Sequence, residues 1–236
     1  MVRQKNKGFT LVEVAIVLLI AGLLVGGILK GSELILSARV RHLIADMDGA
    51  QTAYLAFQDR FRARPGDYSK ADTNILCGTA CPIGNGDGLI KEDGPVVGTS
   101  ELHEDILVWT HLAASGFIQG GYRMAAGETI QKPDNSPRNS WGSLMHLGHD
   151  KRWGAGAAER HNVKSGDFVP VEVLAEADRK IDDGRPFSGH FQFTQVPAPT
   201  DPLNLTLVGC TVTSGADVLW GVLAGAGNCA AAIVLE

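Results

Sequence analysis

The 236 residues contain no G-x-x-x-x-G-K-[ST] phosphate loop, no G-x-S-x-G elbow and no H-E-x-x-H pair. Those absences remove a Walker-type nucleotide hydrolase, an α/β-hydrolase nucleophile and a zincin-type metalloprotease. Carboxylates are plentiful, but no spacing singles out a pair for acid–base work, and the chain is read as a non-enzyme. Aromatics are scarce at 6% while glycine is abundant at 29 residues, a balance that points to short strands and long loops. Basic charge is also in short supply. Lys and Arg total 21 against 26 Asp and Glu, for a net charge of -5. Arg3, Lys5 and Lys7 all fall in the first eight residues, which hold no acid, so removing them leaves -8. Such a surface is a poor match for nucleic acid, whose phosphates need clustered cations. The length suits one good-sized domain plus an extra element.

What the sequence does have is one long apolar run. Residues 9–29 read FTLVEVAIVLLIAGLLVGGIL, with only Thr10 and Glu13 strongly polar. A helix of that length spans roughly 31 Å, about one hydrocarbon core. The basic residues before it place the N-terminus in the cytoplasm and send the rest across. A secretory signal would carry a shorter apolar core and a small-residue cleavage site after it, and no clean A-x-A follows residue 29. Neither a signal peptide nor a plain anchor explains Glu13, because a carboxylate in lipid costs on the order of 2.5–3.5 kcal/mol and so marks a function.

Lys7-Gly8-Phe9-Thr10-Leu11-Val12-Glu13 resembles the processing motif of type IV prepilins and type II secretion pseudopilins. The resemblance covers about the first thirty residues. It implies cleavage after Gly8 by a prepilin peptidase, N-methylation of Phe9, and assembly with other pilin or pseudopilin subunits, like or unlike. It also implies an inner-membrane assembly platform and a separate ATPase motor. Glu13 is the assembly residue: in a filament its carboxylate can meet the Phe9 ammonium of a neighbouring subunit, and a buried charge is tolerable when paired. Before assembly the chain would sit in the inner membrane as a single pass; afterwards it would stand in a periplasmic pseudopilus or a surface pilus.

Beyond the membrane run, Leu36, Val40, Leu43, Met47, Ala50, Tyr54, Phe57 and Phe61 fall at steps of four and three, one apolar stripe on a helix. Pro65-Gly66 stops it. The spacing predicts one helix over 9–62, with the stripe packed on the head; a coiled coil has the same spacing. The expected organisation is a leader at 1–8, an assembly helix at 9–29, an amphipathic continuation at 30–62 and a head at 63–236. In the head, residues 73–99 read as a long loop and 101–115 as a helix capped by Ser100. Residues 169–177 read as a strand or helix edge; 189–195, 203–212, 218–223 and 230–235 have strand character. The fold class is α+β, a long helix on a head with a small antiparallel sheet. Trp109, Trp141, Trp153 and Trp220 read as core or interface residues.

The four cysteines fall outside the cytoplasm, where disulfides form. Three pairings are possible; their grouping favours Cys77–Cys81 and Cys210–Cys229, the second as in the C-terminal staple of many pilins. Cys77-x3-Cys81 also has a spacing zinc accepts. The stretch 84–90, GNGDGLI, resembles the centre of a calcium loop, with Asn85, Asp87 and the Leu89 carbonyl as ligands and Glu92 and Asp93 following. Major pseudopilins often hold calcium in a head loop. The match to an EF-hand is incomplete, so Asp67 or Asp72 would have to help; a turn closed by Asx bonds reads equally from these residues. Asp178, Asp182 and Asp183 form a second acidic group, read as a turn at Gly184. His146 and His149, with His161 downstream, have a spacing that puts two imidazoles on one helix face, but read as structural. The expected function is a filament subunit, the alternative a low-copy tip subunit whose head binds a surface, DNA or a secreted substrate.

Overall fold

The computed structural model describes residues 10–77, 81–91, 94–97, 100–125, 127–153, 158–194, 209–215 and 217–235. It divides into two units, Met1–Arg39 and Val40–Glu236. Gly8 and Phe9 lie outside the described residues, as do Glu92 and Asp93.

Helix α1 covers Leu11–Phe61, close to the expected 9–62. In the first unit its side chains are exposed: Leu19 at 71%, Leu23 at 75% and Ile28 at 70% are representative. This helix is long and apolar enough to cross a membrane. From Val40 onward, in the second unit, the stripe is buried: Val40, Leu43, Met47, Ala50, Tyr54 and Phe57 all lie in the core. Spacings of three and four put them on one face, so the same helical period that leaves Arg41 and Asp48 in water closes the core of the head.

That core is completed by a four-stranded antiparallel sheet in the order β3-β4-β8-β5, from His146–Asp150, Arg160–Lys164, Ala231–Val234 and Phe191–Phe193. Helix α3, Glu104–Ala114, packs beside β3 and sends His111 against Phe57, rings stacked 6.2 Å apart. Helix α4, Val171–Ile181, lies near β5 and the hairpin β6–β7, Thr211–Ser214 and Asp217–Trp220. A single turn, α2, spans Ala71–Asn74, and a short pair, β1 and β2, runs over Gly94–Val97 and Ser100–Leu102. Trp109, Trp153 and Trp220 are buried and Trp141 partly so.

Several expectations shift. Ser100 does not cap α3; it opens β2, and His103 holds the cap position without a side-chain bond. The segment 169–177 is helix, because Val171, Leu174, Ala175 and Asp178 share a buried face while Glu176 pairs outside with Arg179 and Lys180 at 3.4 Å. Strands β3 and β4 lie in a stretch for which the sequence suggests no strand. His146 and His149 therefore sit three apart on a strand, not on a helix, where odd spacing sends them to opposite faces. Of the expected strand at 203–212, residues 203–208 lie outside the described residues, 209–210 are a turn, and 211–212 open β6. The cysteines stand as two pairs at disulfide distance, Cys77 with Cys81 and Cys210 with Cys229, each 1.98 Å between sulfurs.

Candidate functional site

Two places in the chain concentrate chemistry. The first is the start of α1. Thr10 is the residue before the first helical position, and Glu13 is the third residue inside. The Thr10 amide donates to Glu13 Oε2 at 2.8 Å, and its hydroxyl donates to the same oxygen at 2.9 Å. The Glu13 amide donates to Thr10 Oγ1 at 3.2 Å. This is a reciprocal capping box: two of the amides that a helix start leaves unpaired are satisfied, and the carboxylate faces the positive end of the helix dipole. Sequence reasoning isolated Glu13 but missed this second task, although T-x-x-E ahead of an apolar run is a readable cap signal.

The second is the loop 84–91. Three carboxylates, from Asp67, Asp87 and Glu104, gather there with ligand oxygens within 4.8 Å of one another. Asp67 accepts the Gly86 amide at 2.6 Å on one oxygen and the Gly88 amide at 2.9 Å on the other. Glu104, buried at the start of α3, accepts the amides of Asn85 at 3.0 Å and Lys91 at 3.3 Å. Asn85 Oδ1 accepts the Asp87 amide at 2.7 Å, and Asp87 Oδ1 the Leu89 amide at 2.8 Å, both Asx closures. Lys91 reaches back to Asp87 Oδ2 at 2.8 Å.

Backbone crossings make this packing possible. A Cβ on Gly84 would sit 2.2 Å from the Asp67 carbonyl carbon, and one on Gly66 2.5 Å from the Glu104 backbone carbonyl oxygen. Only glycine lets the three strands of chain approach so closely. His111 ties the crossing: its Nδ1 accepts the Gly66 amide at 2.9 Å, so its Nε2 carries the proton and donates to the Pro82 oxygen at 2.9 Å. Burial holds its pKa down at about 4, in keeping with a neutral ring. Burial raises Glu104 to about 7 and raises Asp67 as well, each further raised by the other carboxylates nearby.

Of the expected calcium ligands, Asn85 and Asp87 are here, and Asp67 and Glu104 join them from distant positions. Asp72 is exposed and is not one of that group. Asp178, Asp182 and Asp183 form their own group. There Asp178 accepts the Trp220 indole at 2.6 Å and the Gly184 amide at 3.1 Å, the bonds of a turn. His149 and His161 meet at 4.7 Å between ring centres, and His161 Nε2 accepts the Ile90 amide at 3.3 Å.

The family model described as the prokaryotic N-terminal methylation motif matches residues 3–29. The chain carries the type IV prepilin and pseudopilin signature. No curated protein and no solved structure matches it. The prepilin-type motif implies processing by a prepilin peptidase and assembly with other pilin-type subunits, and it points to a structural protein. Together with the apolar start of α1, it fits anchoring in the inner membrane.

Proposed function

We propose that the chain is a subunit of a type IV pilus or of a type II secretion pseudopilus, cut after Gly8, methylated on Phe9 and polymerised through α1. The supporting observation is the methylation motif at 3–29, of which residues 11–29 form the apolar, solvent-open start of α1. Such a surface is stable only in lipid or against equally apolar helices. Glycines 22, 26, 27 and 31 meet nothing within 4 Å, so they leave low points where a neighbouring helix can come close. Intact-mass measurement of the protein recovered from membranes tests the reading. The expected mass begins at Phe9 with one added methyl group. A start at Met1, or a cut beyond residue 29, would defeat it.

Calcium at the loop 84–91 belongs to the same reading. Asp67, Asp87 and Glu104 offer the hard oxygen donors this cation takes. The ion would offset three neighbouring negative charges and compete with Lys91 for Asp87. The expected result of adding excess chelator to the purified protein is a fall in melting temperature of several degrees, restored by calcium; an unchanged melt removes calcium from the account.

A further inference from the structure

Beside the C-terminal end of α1 the head opens into a cleft of about 700 Å³, whose lining includes Gln58, Arg62, Arg64, Ser69, Lys70 and Asn74. Its charge runs against that of the chain. The whole protein carries -5, yet three cations meet here with one carboxylate, Asp67. That carboxylate is buried and already accepts the Gly86 and Gly88 amides. Lys70 has no carboxylate partner among the described residues. Among the described residues Arg62 pairs only with Asp59, at 3.5 Å, and both side chains are 83% exposed, so the pair neutralises little.

The backbone carries a second, independent sign. Arg62 closes the last turn of α1, its amide donating to the Gln58 backbone carbonyl at 2.9 Å, and has φ +53°. This is the left-handed position after a helix that glycine fills without strain. A long side chain here carries a conformational cost, and it puts a guanidinium on the cleft wall. Arg64 is fixed by donation from Nη1 to the Gly88 oxygen at 2.5 Å, while its buried Nε finds no acceptor among the described residues. Asn74 and Gln58 commit their NH2 groups to the hydroxyls of Tyr68 and Tyr54, at 2.5 and 3.0 Å. Their amide oxygens accept from no described residue.

The cleft thus offers forked cations together with neutral acceptors. Guanidinium suits a planar carboxylate. Spare amide oxygens suit hydroxyl donors, which an orthophosphate dianion barely supplies and a saccharide presents on every ring; an acidic peptide would offer backbone N–H groups in their place, and a peptide probe measures that rival. We propose that this cleft binds a short anionic saccharide of the uronic acid class. Its carboxylates sit on Arg62, Arg64 and Lys70, and its hydroxyls donate to Gln58 and Asn74. A long polyanion such as nucleic acid would meet the surrounding acidic surface instead. The assignment concerns the unit Val40–Glu236 and stands whether or not the leader is cut.

Titration calorimetry on the full chain in detergent tests it, with four probes: a trigalacturonate, the matching neutral trigalactose, inorganic phosphate and a tetraglutamate. The trigalacturonate is expected to bind, and the other three to bind at least about tenfold more weakly. Arg62→Gly and Lys70→Gln are each expected to weaken trigalacturonate binding about fivefold or more. Arg62→Gly should melt at or above the parent temperature, because glycine relieves the backbone. Lys70→Gln, on an exposed side chain, keeps the test alive should the other variant fold poorly. Absence of trigalacturonate binding overturns the proposal. So does equal binding of phosphate or tetraglutamate, or affinity unchanged in Lys70→Gln.

Discussion

Glu104 is fully buried, and the carboxylates of Asp67 and Asp87 are its neighbours. Burial, more than the nearby charges, pushes its pKa up to about 7, partly offset by the Asn85 and Lys91 amides. A carboxyl raised in the folded state binds its proton more tightly there than in the unfolded chain. Its contribution is therefore full below the unfolded value of 4.5 and is lost as pH climbs through about 7. Three histidines act in the opposite sense. Burial keeps His111 near 4 and His146 and His161 near 3, so acid that protonates them in the unfolded chain destabilises the fold. The bare pH profile mixes the two, and a difference isolates one. Relative to Glu104→Gln, the parent is expected to lose about 1–2 kcal/mol between pH 5 and pH 8, allowing for water at the loop. Urea unfolding of both proteins at the two pH values, in chelator, measures it. A gap that does not change with pH would contradict the assignment.

At the scale of elements, the sequence is legible wherever one period dominates. The α1 stripe repeats through eight apolar residues, and the helix follows it to within a residue or two. Helix α4 was ambiguous because Val171 and Val173 alternate like a strand, whereas Glu176, Arg179 and Lys180 have the spacing of a helix; tertiary burial of Leu174 and Ala177 decides for helix. Strands β3 and β4, HLGHD and RHNVK, show no apolar alternation at all. They are held by the sheet and by polar pairs such as the buried Lys164 with Asp150. The carboxylate group is partly legible, since Asp87 lies in the loop and Asp67 is one of the two helpers the incomplete loop calls for, but Glu104 arrives only through folding. The C-terminal staple belongs to this scale too. Cys210 precedes β6, and Cys229, whose backbone bridges to Val169, leads into β8. It closes a loop with a sequence separation of 19, which by chain entropy is worth about 3 kcal/mol. Replacing both cysteines by serine is expected to lower the unfolding free energy by about that amount in denaturant titrations. A loss under about 1 kcal/mol would mean β8 is held by its ladder alone.

For the whole molecule, the proposed function asks the N-terminal helix to serve two states, alone in lipid and packed among other subunits. On that proposal Glu13 is the residue that both states would use. Alone, it closes the capping box with Thr10; in a polymer it would also offer its charge to the new amino terminus at Phe9 of a neighbour. Two substitutions separate these tasks. Thr10→Ala removes one side of the box and costs about 1 kcal/mol at the helix end, leaving the carboxylate in place. Glu13→Ala removes cap and charge together. Both variants are expected to insert and to be cut, because the leader and the apolar run are untouched. Thr10→Ala is expected to assemble, and Glu13→Ala to accumulate as cleaved, unassembled protein. Immunoblots of leader removal, read beside electron microscopy of sheared filaments, give the two outcomes separately. Normal filaments from Glu13→Ala would show that charge pairing at this residue does not set the register. Loss of filaments in Thr10→Ala as well would make the cap, rather than the charge, the feature that assembly depends on.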